Sequence, residues 1–497
     1  MKLNQSVGNR SILTPGFFLL LFFSILGSSC SRENTGKTVL KLAATPPPNI
    51  VLISIDTLRQ DRLSCYGHPR AVSPVIDSIS RESRLFTRAR CPIPVTTSSH
   101  ATMFTGLLPG KHGSLGNGMP ISISTEKLLA SRLAELGYKS YGITSTSVLW
   151  PELCGIDGGF EFYTCNPPPP NKTARKSTPE KKKAERIDIQ LIPFSHLIDG
   201  KSAIKDLQAM IPELPREKCF VFLHFYDVHM PYTPQDPFHQ IYDPNYTGEV
   251  TGVIDDARIF HGNESFGRTY NARDAQHMRA LYDGGVRQAD MFTGRALRML
   301  ADAGILDNAM IIVTSDHGEN FGDFNSWFEH GRQLTEATLR IPYIIKMPGN
   351  SIRIIDFPAA LEDFVPTLIT CAGGEPRQEE FDGIDLSSML LRDRIIPAPH
   401  RYVETSGIRG RNGSFKRYGI IHDGFKYLCE TEQRDAALFY PRELPGDAVE
   451  VTGQYPQVSG QLKKLLEIHR EAYAVNLDEK QLSEIAVQQL KALGYIE

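Results

Sequence analysis

Three apolar runs, each followed by an Asp, constrain the fold of this 497-residue chain more than any other feature. The runs and the residues that follow them are 49–55 with Asp56, 219–226 with Asp227, and 308–315 with Asp316. Their apolar residues are nearly consecutive instead of alternating, which is typical of strands buried on both faces of a parallel sheet. Helix-type stretches separate the runs, so the sequence predicts an α/β fold with a mostly parallel sheet flanked by helices.

The rest of the chain supplies further predicted elements. Two more strands are predicted at 138–144 and 341–347. The spacing of apolar residues predicts helices at 72–83, 99–105, 125–136, 272–303 and 359–371. The C-terminal part has β-type segments at 418–422 and 426–428 and helix-type segments at 458–474 and 478–493.

The three Asp residues are expected to converge, because the carboxyl ends of parallel strands meet at one edge of a sheet. One Asp after a strand is usually a helix cap, but here Asp227 and Asp316 also have a His within two residues. Clustered carboxylates repel one another unless a cation neutralises them. Oxygen ligands with one imidazole suit Ca²⁺, Mg²⁺, Mn²⁺ or Zn²⁺, so the sequence predicts a site for a divalent metal.

A run of hydroxyl side chains precedes the helix predicted at 99–105. It reads Pro-Val-Thr-Thr-Ser-Ser-His over residues 94–100, with Thr96 as its first hydroxyl. A Thr hydroxyl beside a divalent cation becomes a nucleophile suited to displacement at phosphorus or sulfur. The alternative is that these hydroxyls only cap the helix.

Four segments carry a family resemblance. They are 53–67, 99–106, 314–319 and 329–331. In these segments, and in their order and spacing, the chain resembles the sulfatase branch of the alkaline phosphatase superfamily. The resemblance implies an alkaline-phosphatase-like catalytic domain, predicted at 49–396, and a smaller C-terminal α+β domain, predicted at 397–497.

The resemblance also implies roles for individual residues. The expected metal ligands are Asp56, Thr96, Asp316 and His317. The expected catalytic residues are Thr96, as nucleophile, with His100, His229 and His330. The residues expected to bind substrate are Asp227, Arg59 and Lys111. For His229 and His330 a purely structural imidazole is the alternative, and in two-metal members of the superfamily the position of His330 contacts a second cation.

The chain departs from formylglycine-dependent sulfatases at two places. Those enzymes carry Cys-x-Pro-x-Arg, whose Cys becomes formylglycine, whereas this chain has Thr96, Ser98 and His100 at those positions. No formylglycine is therefore expected. The segment 138–147 also lacks the Lys and His that hold sulfate in the family, so anion binding is expected to rest on the metal, the three His residues, Arg59 and Lys111.

These features predict a metal-dependent sulfatase-like hydrolase that cleaves sulfate or phosphate esters through a Thr nucleophile. Thr nucleophiles also resemble those of phosphodiesterases and phosphotransferases, so one alternative is such an enzyme acting on envelope lipids or glycans. Against it, such transferases often carry a multi-span membrane domain that this sequence lacks. A catalytically inactive sulfatase-like binding protein is the other alternative.

The N-terminus resembles a bacterial lipoprotein signal. Lys2 and Arg10 precede an apolar block at 17–26, three small residues and Cys30. We therefore expect a signal peptide at 1–30, a linker at 31–48, export to the cell envelope and membrane attachment through acylated Cys30; an ordinary cleaved signal peptide is the alternative. The net charge of −3 gives no reason to expect a nucleic-acid partner, and a small-molecule, lipid or glycan ester is the expected substrate.

Overall fold

A nine-stranded sheet lies at the centre of the part of the chain that the computed structural model describes, residues 46–165, 175–176, 200–260, 270–349, 352–408, 414–430, 436–440 and 449–472. The strands before the C-terminal part are β1 (Asn49–Ile55), β2 (Arg84–Phe86), β3 (Lys139–Thr144), β4 (Phe162–Cys165), β5 (Arg175–Lys176), β6 (Cys219–Phe225), β7 (Ala309–Thr314), β8 (Phe321–Asp323), β9 (Ser326–Trp327), β10 (Tyr343–Lys346) and β11 (Arg353–Ile355). The order across the sheet is β11-β2-β10-β7-β1-β6-β3-β4-β5, and β8 with β9 forms a separate hairpin.

The central strands have the predicted parallel arrangement. β1 pairs in parallel with β6 on one side and with β7 on the other, and β3 and β4 continue the parallel set. β10 pairs antiparallel with β7 and β2. The five strands predicted from the sequence correspond to β1, β3, β6, β7 and β10, so the α/β prediction is confirmed.

Helices cover both faces of this sheet. They are α1 (Pro74–Ser80), α2 (Thr96–Thr105), α3 (Pro109–His112), α4 (Leu129–Glu135), α5 (Pro151–Cys154), α6 (Gly200–Met210), α7 (Ile254–Phe260), α8 (Ala272–Asp302), α9 (Glu336–Leu339), α10 (Phe364–Cys371) and α11 (Ser387–Leu391). Ile50 and Leu52 of β1 face the core that contains α2, α4 and α10, whereas Val51 and Ile53 face the core that contains α1, α6 and α8. Both faces of β1 are thus buried, which explains its unbroken apolar run.

A second, antiparallel sheet forms the C-terminal part. Its elements are β12 (Arg401–Ile408), β13 (Ser414–His422), β14 (Phe425–Glu430), β15 (Ala437–Tyr440), β16 (Val449–Glu450) and α12 (Pro456–Ala472). Leu462 and Leu466 of α12 pack on Ile420 from one face of the sheet. Val403 and Ile421 join the core of the central sheet instead, so the smaller sheet lies between α12 and the larger domain.

Several predictions fall outside the described residues: the signal peptide with Cys30, the linker up to residue 45 and the helix at 478–493. The main compact unit begins at Pro47, close to the predicted start of the catalytic domain at 49. The predicted domain boundary at 397 precedes β12, which starts at Arg401. Among the described helices, none is long and apolar enough to cross a membrane.

Candidate active site

The register of the three central strands aligns polar side chains on one face of the sheet. Ser54 of β1 pairs with His224 of β6 and with Thr314 of β7. Because side chains alternate along a strand, Asp56 and Asp316, two residues further on, lie on this same face. It is the face that α2 covers, and α2 carries Thr96.

Asp56, Asp316 and His317 form a group whose nearest ligand atoms all lie within 4.8 Å of one another. All three side chains are fully buried. Burial and the neighbouring Asp316 raise the pKa of Asp56 well above its ordinary value. Burial also opposes ionisation of Asp316, but the imidazoles around it lower its pKa to about 2. Two carboxylates this close need a compensating positive charge.

Each carboxylate leaves oxygen atoms available to a cation. Oδ1 of Asp316 accepts hydrogen bonds from the N–H of Thr57 at 3.2 Å and from the N–H of His317 at 2.9 Å. Oδ2 of Asp316 and both oxygens of Asp56 accept no hydrogen bond within the described residues. Thr57 has a φ of 54°, a left-handed conformation that β-branched residues rarely adopt. The backbone is therefore strained where it orients Asp316.

The tautomer of His317 directs a lone pair into this group. Nδ1 lies 2.9 Å from the carbonyl oxygen of Gly318, which only accepts, so Nδ1 carries the proton. Burial lowers the pKa of His317 to about 4, so the ring is neutral and Nε2 has a lone pair. Nε2 lies 3.4 Å from Oδ2 of Asp316 and accepts a hydrogen bond from Oγ1 of Thr96 at 3.3 Å. This arrangement is typical of a metal-binding His whose second nitrogen is fixed by a carbonyl.

Thr96 is the first residue of α2, three residues before the predicted start, and it is fully buried. The free N–H groups of a helix N-terminus favour an anion beside it. His100, one turn later, donates from Nδ1 to the carbonyl oxygen of Thr96 at 2.8 Å, and its Nε2 accepts from the hydroxyl of Ser54 at 3.1 Å. Nδ1 of His100 therefore contacts the first turn of α2, and Nε2 connects α2 to β1.

His229 and His330 lie close to His317 of this group. The ring of His330 is centred 4.4 Å from that of His317 and 5.0 Å from that of His229. Burial opposes protonation of His330, but Glu319, at 3.3 Å from its Nδ1, raises its pKa above the ordinary value. Burial and the adjacent His330 lower the pKa of His229. The pKa values of the two neighbouring imidazoles are therefore shifted in opposite directions.

The comparisons with known proteins agree with this architecture. The sequence matches the family described as Sulfatase over residues 48–374. The chain belongs to the sulfatase family. It is 26% identical over 375 residues to an arylsulfatase of Clostridium perfringens, a match that covers 65% of this chain and 75% of that protein. This sulfatase-family chain is therefore a sulfatase-like ester hydrolase.

Solved structures share the fold. A protein solved in complex with its substrate D-glucosamine-2-N,6-O-disulfate superposes with a TM-score of 0.68 and 19% identity, over 88% of this sulfatase chain and 100% of that chain. The phosphonate monoester hydrolase of Agrobacterium radiobacter superposes with a TM-score of 0.62 and 20% identity, over 85% of this chain and 96% of that chain. The alkaline-phosphatase-like fold is therefore confirmed.

Asp227 does not join the two other carboxylates in this sulfatase-family chain, contrary to the predicted convergence. Ile55 pairs with Phe225, so Tyr226 lies opposite Asp56 and Asp227 takes the other face of the sheet. There its Oδ1 accepts hydrogen bonds from the side-chain amide of Gln288 in α8, at 2.7 Å, and from the first N–H of α6. These two hydrogen bonds of Asp227 connect the segment after β6 to α8 and α6.

Arg59, predicted to bind substrate, lies in an ion-pair network. Its Nε and Nη2 donate to the two oxygens of Asp61 at 2.8 and 3.0 Å. Its Nη1 donates to Asp323 at 3.0 Å and to the carbonyl oxygen of Glu319 at 2.9 Å. Four of its five N–H donors are thereby engaged. Arg59 thus supports the backbone at Glu319 and is not positioned to hold a substrate anion.

Lys111, the other basic residue predicted to bind substrate, lies in α3 and pairs with Asp382 at 2.5 Å. It follows the C-terminal end of α2, whereas Thr96 begins that helix. The ten residues of α2 separate the two ends by about 15 Å. The structure therefore separates Lys111 from the group formed by Asp56, Asp316 and His317.

Two buried residues of the site were not predicted. Glu319 pairs with His330 and also accepts a hydrogen bond from the hydroxyl of Tyr232 at 3.0 Å. His224 lies within β6, with Nε2 at 3.3 Å from Oδ2 of Asp56. The available signals were weak: Glu319 ends the 314–319 motif, and His224 is the one ionisable residue in an otherwise apolar strand.

Proposed function

We propose that this sulfatase-family hydrolase is metal dependent and cleaves a sulfate or phosphate ester with Thr96 as its nucleophile. The observation that supports this most is the position of the Thr96 hydroxyl. It lies at the N-terminus of α2, 3.3 Å from the lone pair of His317 and next to two buried carboxylates. A capping role is not evident, because α2 has no side-chain cap at its preceding residue, Val95.

The residues present fit a divalent cation. Asp56, Asp316 and His317 would hold it, with the hydroxyl of Thr96 beside them. Three carboxylate oxygens of this group lack hydrogen-bond donors within the described residues, although the side chains are fully buried. When bound, Ca²⁺, Mg²⁺, Mn²⁺ or Zn²⁺ would neutralise the carboxylates, acidify the Thr hydroxyl and withdraw charge from the substrate anion.

Three side chains have roles in the reaction itself. The hydroxyl of Thr96 loses its proton to water, its Oγ1 attacks the sulfur or phosphorus atom, and the bond from that atom to the ester oxygen breaks. His330, whose pKa Glu319 raises, gives a proton to the departing oxygen. His229, which is neutral, hydrogen-bonds the anion. Water then cleaves the covalent ester on Thr96 in the second half of the reaction.

The identity of the nucleophile favours phosphate over sulfate esters. A hydrated formylglycine can expel its sulfate through its second hydroxyl, whereas a sulfated Thr has no such route. A phosphorylated Thr is released by attack of water at phosphorus. A phosphonate monoester hydrolase shares the fold, and another structural relative was solved with a sulfated glucosamine, so we extend the proposal to phosphate or sulfate esters of glycans.

Turnover of matched aryl substrates tests the proposal. The full chain, reconstituted with each metal, would be assayed against an aryl sulfate, an aryl phosphate monoester and an aryl phosphodiester. Thr96→Ala should lose at least about 10³-fold in kcat, and Thr96→Ser should retain activity. Thr105→Ala is the matched control, since the same helix carries it and its hydroxyl bonds the carbonyl oxygen of Ala101 at 2.7 Å.

Each outcome has one interpretation. Loss of phosphoester cleavage in Thr96→Ala supports the preferred chemistry, and Thr96-dependent sulfate release shows that a Thr replaces formylglycine. Equal turnover of Thr96→Ala and wild type refutes the nucleophile. Absence of turnover on all three substrates, with metal bound, supports the binding-protein alternative. Transfer to an added alcohol in preference to water supports the phosphotransferase.

The organisation of the chain is also part of the proposal. We propose a catalytic domain at 49–396, a C-terminal domain at 397–497, a signal peptide at 1–30 and a linker at 31–48, with Cys30 acylated and the protein in the cell envelope. The sequence features at the N-terminus support the export signal. Mass spectrometry of the mature N-terminus would detect a lipidated Cys30, and an unmodified N-terminus elsewhere would refute the lipid anchor.

A further inference from the structure

His224 is a buried imidazole within β6 that has no part in the mechanism above. Its side chain is fully buried, and its Nε2 lies 3.3 Å from Oδ2 of Asp56. Its ring meets that of His100 edge to face, with the centroids 5.0 Å apart. His224 thus lies next to Asp56, one of the proposed metal-binding carboxylates.

The proton of His224 can be placed from its neighbours. The backbone N–H of Ser145 points at Nδ1 at 3.5 Å, and an N–H only donates, so Nδ1 is the accepting nitrogen. The hydroxyl of Ser145 also donates to the carbonyl oxygen of His224 at 2.8 Å, and this bond connects the end of β3 to β6. Nε2 therefore carries the proton, and it lies 3.3 Å from Oδ2 of Asp56 without forming a hydrogen bond to it.

We infer that His224 is a positioning residue of the metal centre: its Nε2–H, which lies 3.3 Å from Oδ2 of Asp56 but outside hydrogen-bond geometry, biases the orientation of that carboxylate by charge–dipole attraction. The inference rests on the metal site of the proposed function. Asp316 provides a parallel, because backbone N–H groups hold its Oδ1 and its Oδ2 remains without a donor in the described residues. Groups that orient a metal ligand in this way typically change metal affinity by about 10- to 100-fold when they are lost.

The experiment measures metal affinity and does not depend on turnover. Mn²⁺, Zn²⁺ and Ca²⁺ would each be titrated into the metal-free full chain by calorimetry, with chelator competition where binding is tight. His224→Leu removes the donor and should weaken binding of the resident metal by about 10- to 100-fold. His224→Gln restores an N–H and should recover most of the affinity, which a merely space-filling role would not allow.

His112 provides a matched control. It is also fully buried, and its Nδ1 also accepts from a backbone N–H, that of Ser114 at 3.1 Å. Its Nε2, however, faces the hydroxyl of Thr102 at 3.0 Å, with no carboxylate beside it. His112→Leu should therefore leave the metal affinity unchanged.

The results separate this inference from the proposed function. Wild-type affinity in folded His224→Leu, or equal weakening in His112→Leu, overturns it. If His224→Leu does not fold, His224→Phe is used instead, because Phe220 and Phe222 already occupy this face of β6. The same loss of metal affinity is expected for it. Weakened binding together with active Thr96→Ala would uphold His224 and reject the nucleophile. A wild type that binds none of the three cations would reject the metal site itself.

Discussion

Glu336→Gln is expected to destabilise the protein strongly, because Glu336 is a buried carboxylate in contact with three buried cations. Its carboxylate accepts from Arg90 at 2.8 Å, from Arg340 at 2.7 Å and from Lys426 at 3.0 Å. Each of the four side chains is less than a tenth exposed. Lys426 belongs to β14, so the cluster joins the C-terminal sheet to the central domain.

The magnitude follows from these distances. One ion pair at about 4 Å is worth on the order of 4 kcal/mol at the effective dielectric constant of a protein. Gln keeps the size of Glu but loses its charge, so the three cations repel one another without compensation. The desolvation cost of the carboxylate is recovered, which offsets part of the loss. We therefore expect the free energy of unfolding to fall by about 3–5 kcal/mol, the range found when one partner of a buried pair is removed.

Urea unfolding, followed by circular dichroism at several pH values, measures this effect. Burial opposes ionisation of Glu336, but Arg90, Lys426 and Arg340 lower its pKa well below the ordinary 4.5. Its contribution should therefore be complete above about pH 4.5 and decline as the pH falls towards the lower pKa of the folded state. Glu82→Gln, which removes an exposed partner of Lys346, should change little. A loss below about 1 kcal/mol at pH 7.5, or one unchanged at pH 3, would refute the reasoning.

Three other changes test separate features. Arg59→Lys loses the forked contact with Asp61 and should cost roughly 1–3 kcal/mol of stability with KM unchanged; a raised KM at wild-type stability would favour substrate binding instead. Gly318→Ala places a Cβ 2.0 Å from the carbonyl oxygen of Ala337, so it should shift the backbone next to His317 and weaken metal binding. Gly460→Ala in α12, where a Cβ meets no atom within 4 Å, should instead stabilise the protein by about 0.5–1 kcal/mol. Equal shifts of the melting temperature in the two variants would contradict this. Dialysis against EDTA should lower the melting temperature and added metal should restore it, so a metal-free form of unchanged stability would oppose the metal site.

The central strands were predictable because burial on both faces leaves a continuous apolar run. The two strands at one side of the sheet lack this signal: β2 and β11 have three residues each, too few for a pattern to stand out. α6 was also missed, although its buried residues Ala203, Leu207 and Met210 follow the spacing of an amphipathic helix. Length and burial on both faces thus decided which elements the sequence revealed.

Only part of the candidate site was predictable from the sequence. Asp56 and Asp316 come together because strand order and register place them on one face, and apolar runs ending in Asp indicated this. Asp227 also follows an apolar run, but it lies one residue beyond the position opposite Asp56. Because side chains alternate, it therefore points to the other face of the sheet. Arg59 is engaged by Asp323, 264 residues away. Such a contact leaves no local mark in the sequence.

The C-terminal sheet contributes to the site through the loop that follows His330. Side chains of three strands donate to backbone carbonyl oxygens of this loop: Thr405 to Gly331, Arg417 to Arg332, and Lys426 to Leu334. These partners are 74, 85 and 92 residues apart, respectively. A loop carrying a residue that must lie beside an anion needs its backbone fixed, because a small displacement of a catalytic group costs much of its effect. The sheet therefore positions His330 without supplying a residue of the Asp56, Asp316 and His317 group. The cluster around Glu336 makes that positioning depend on how the sheet packs against the central domain.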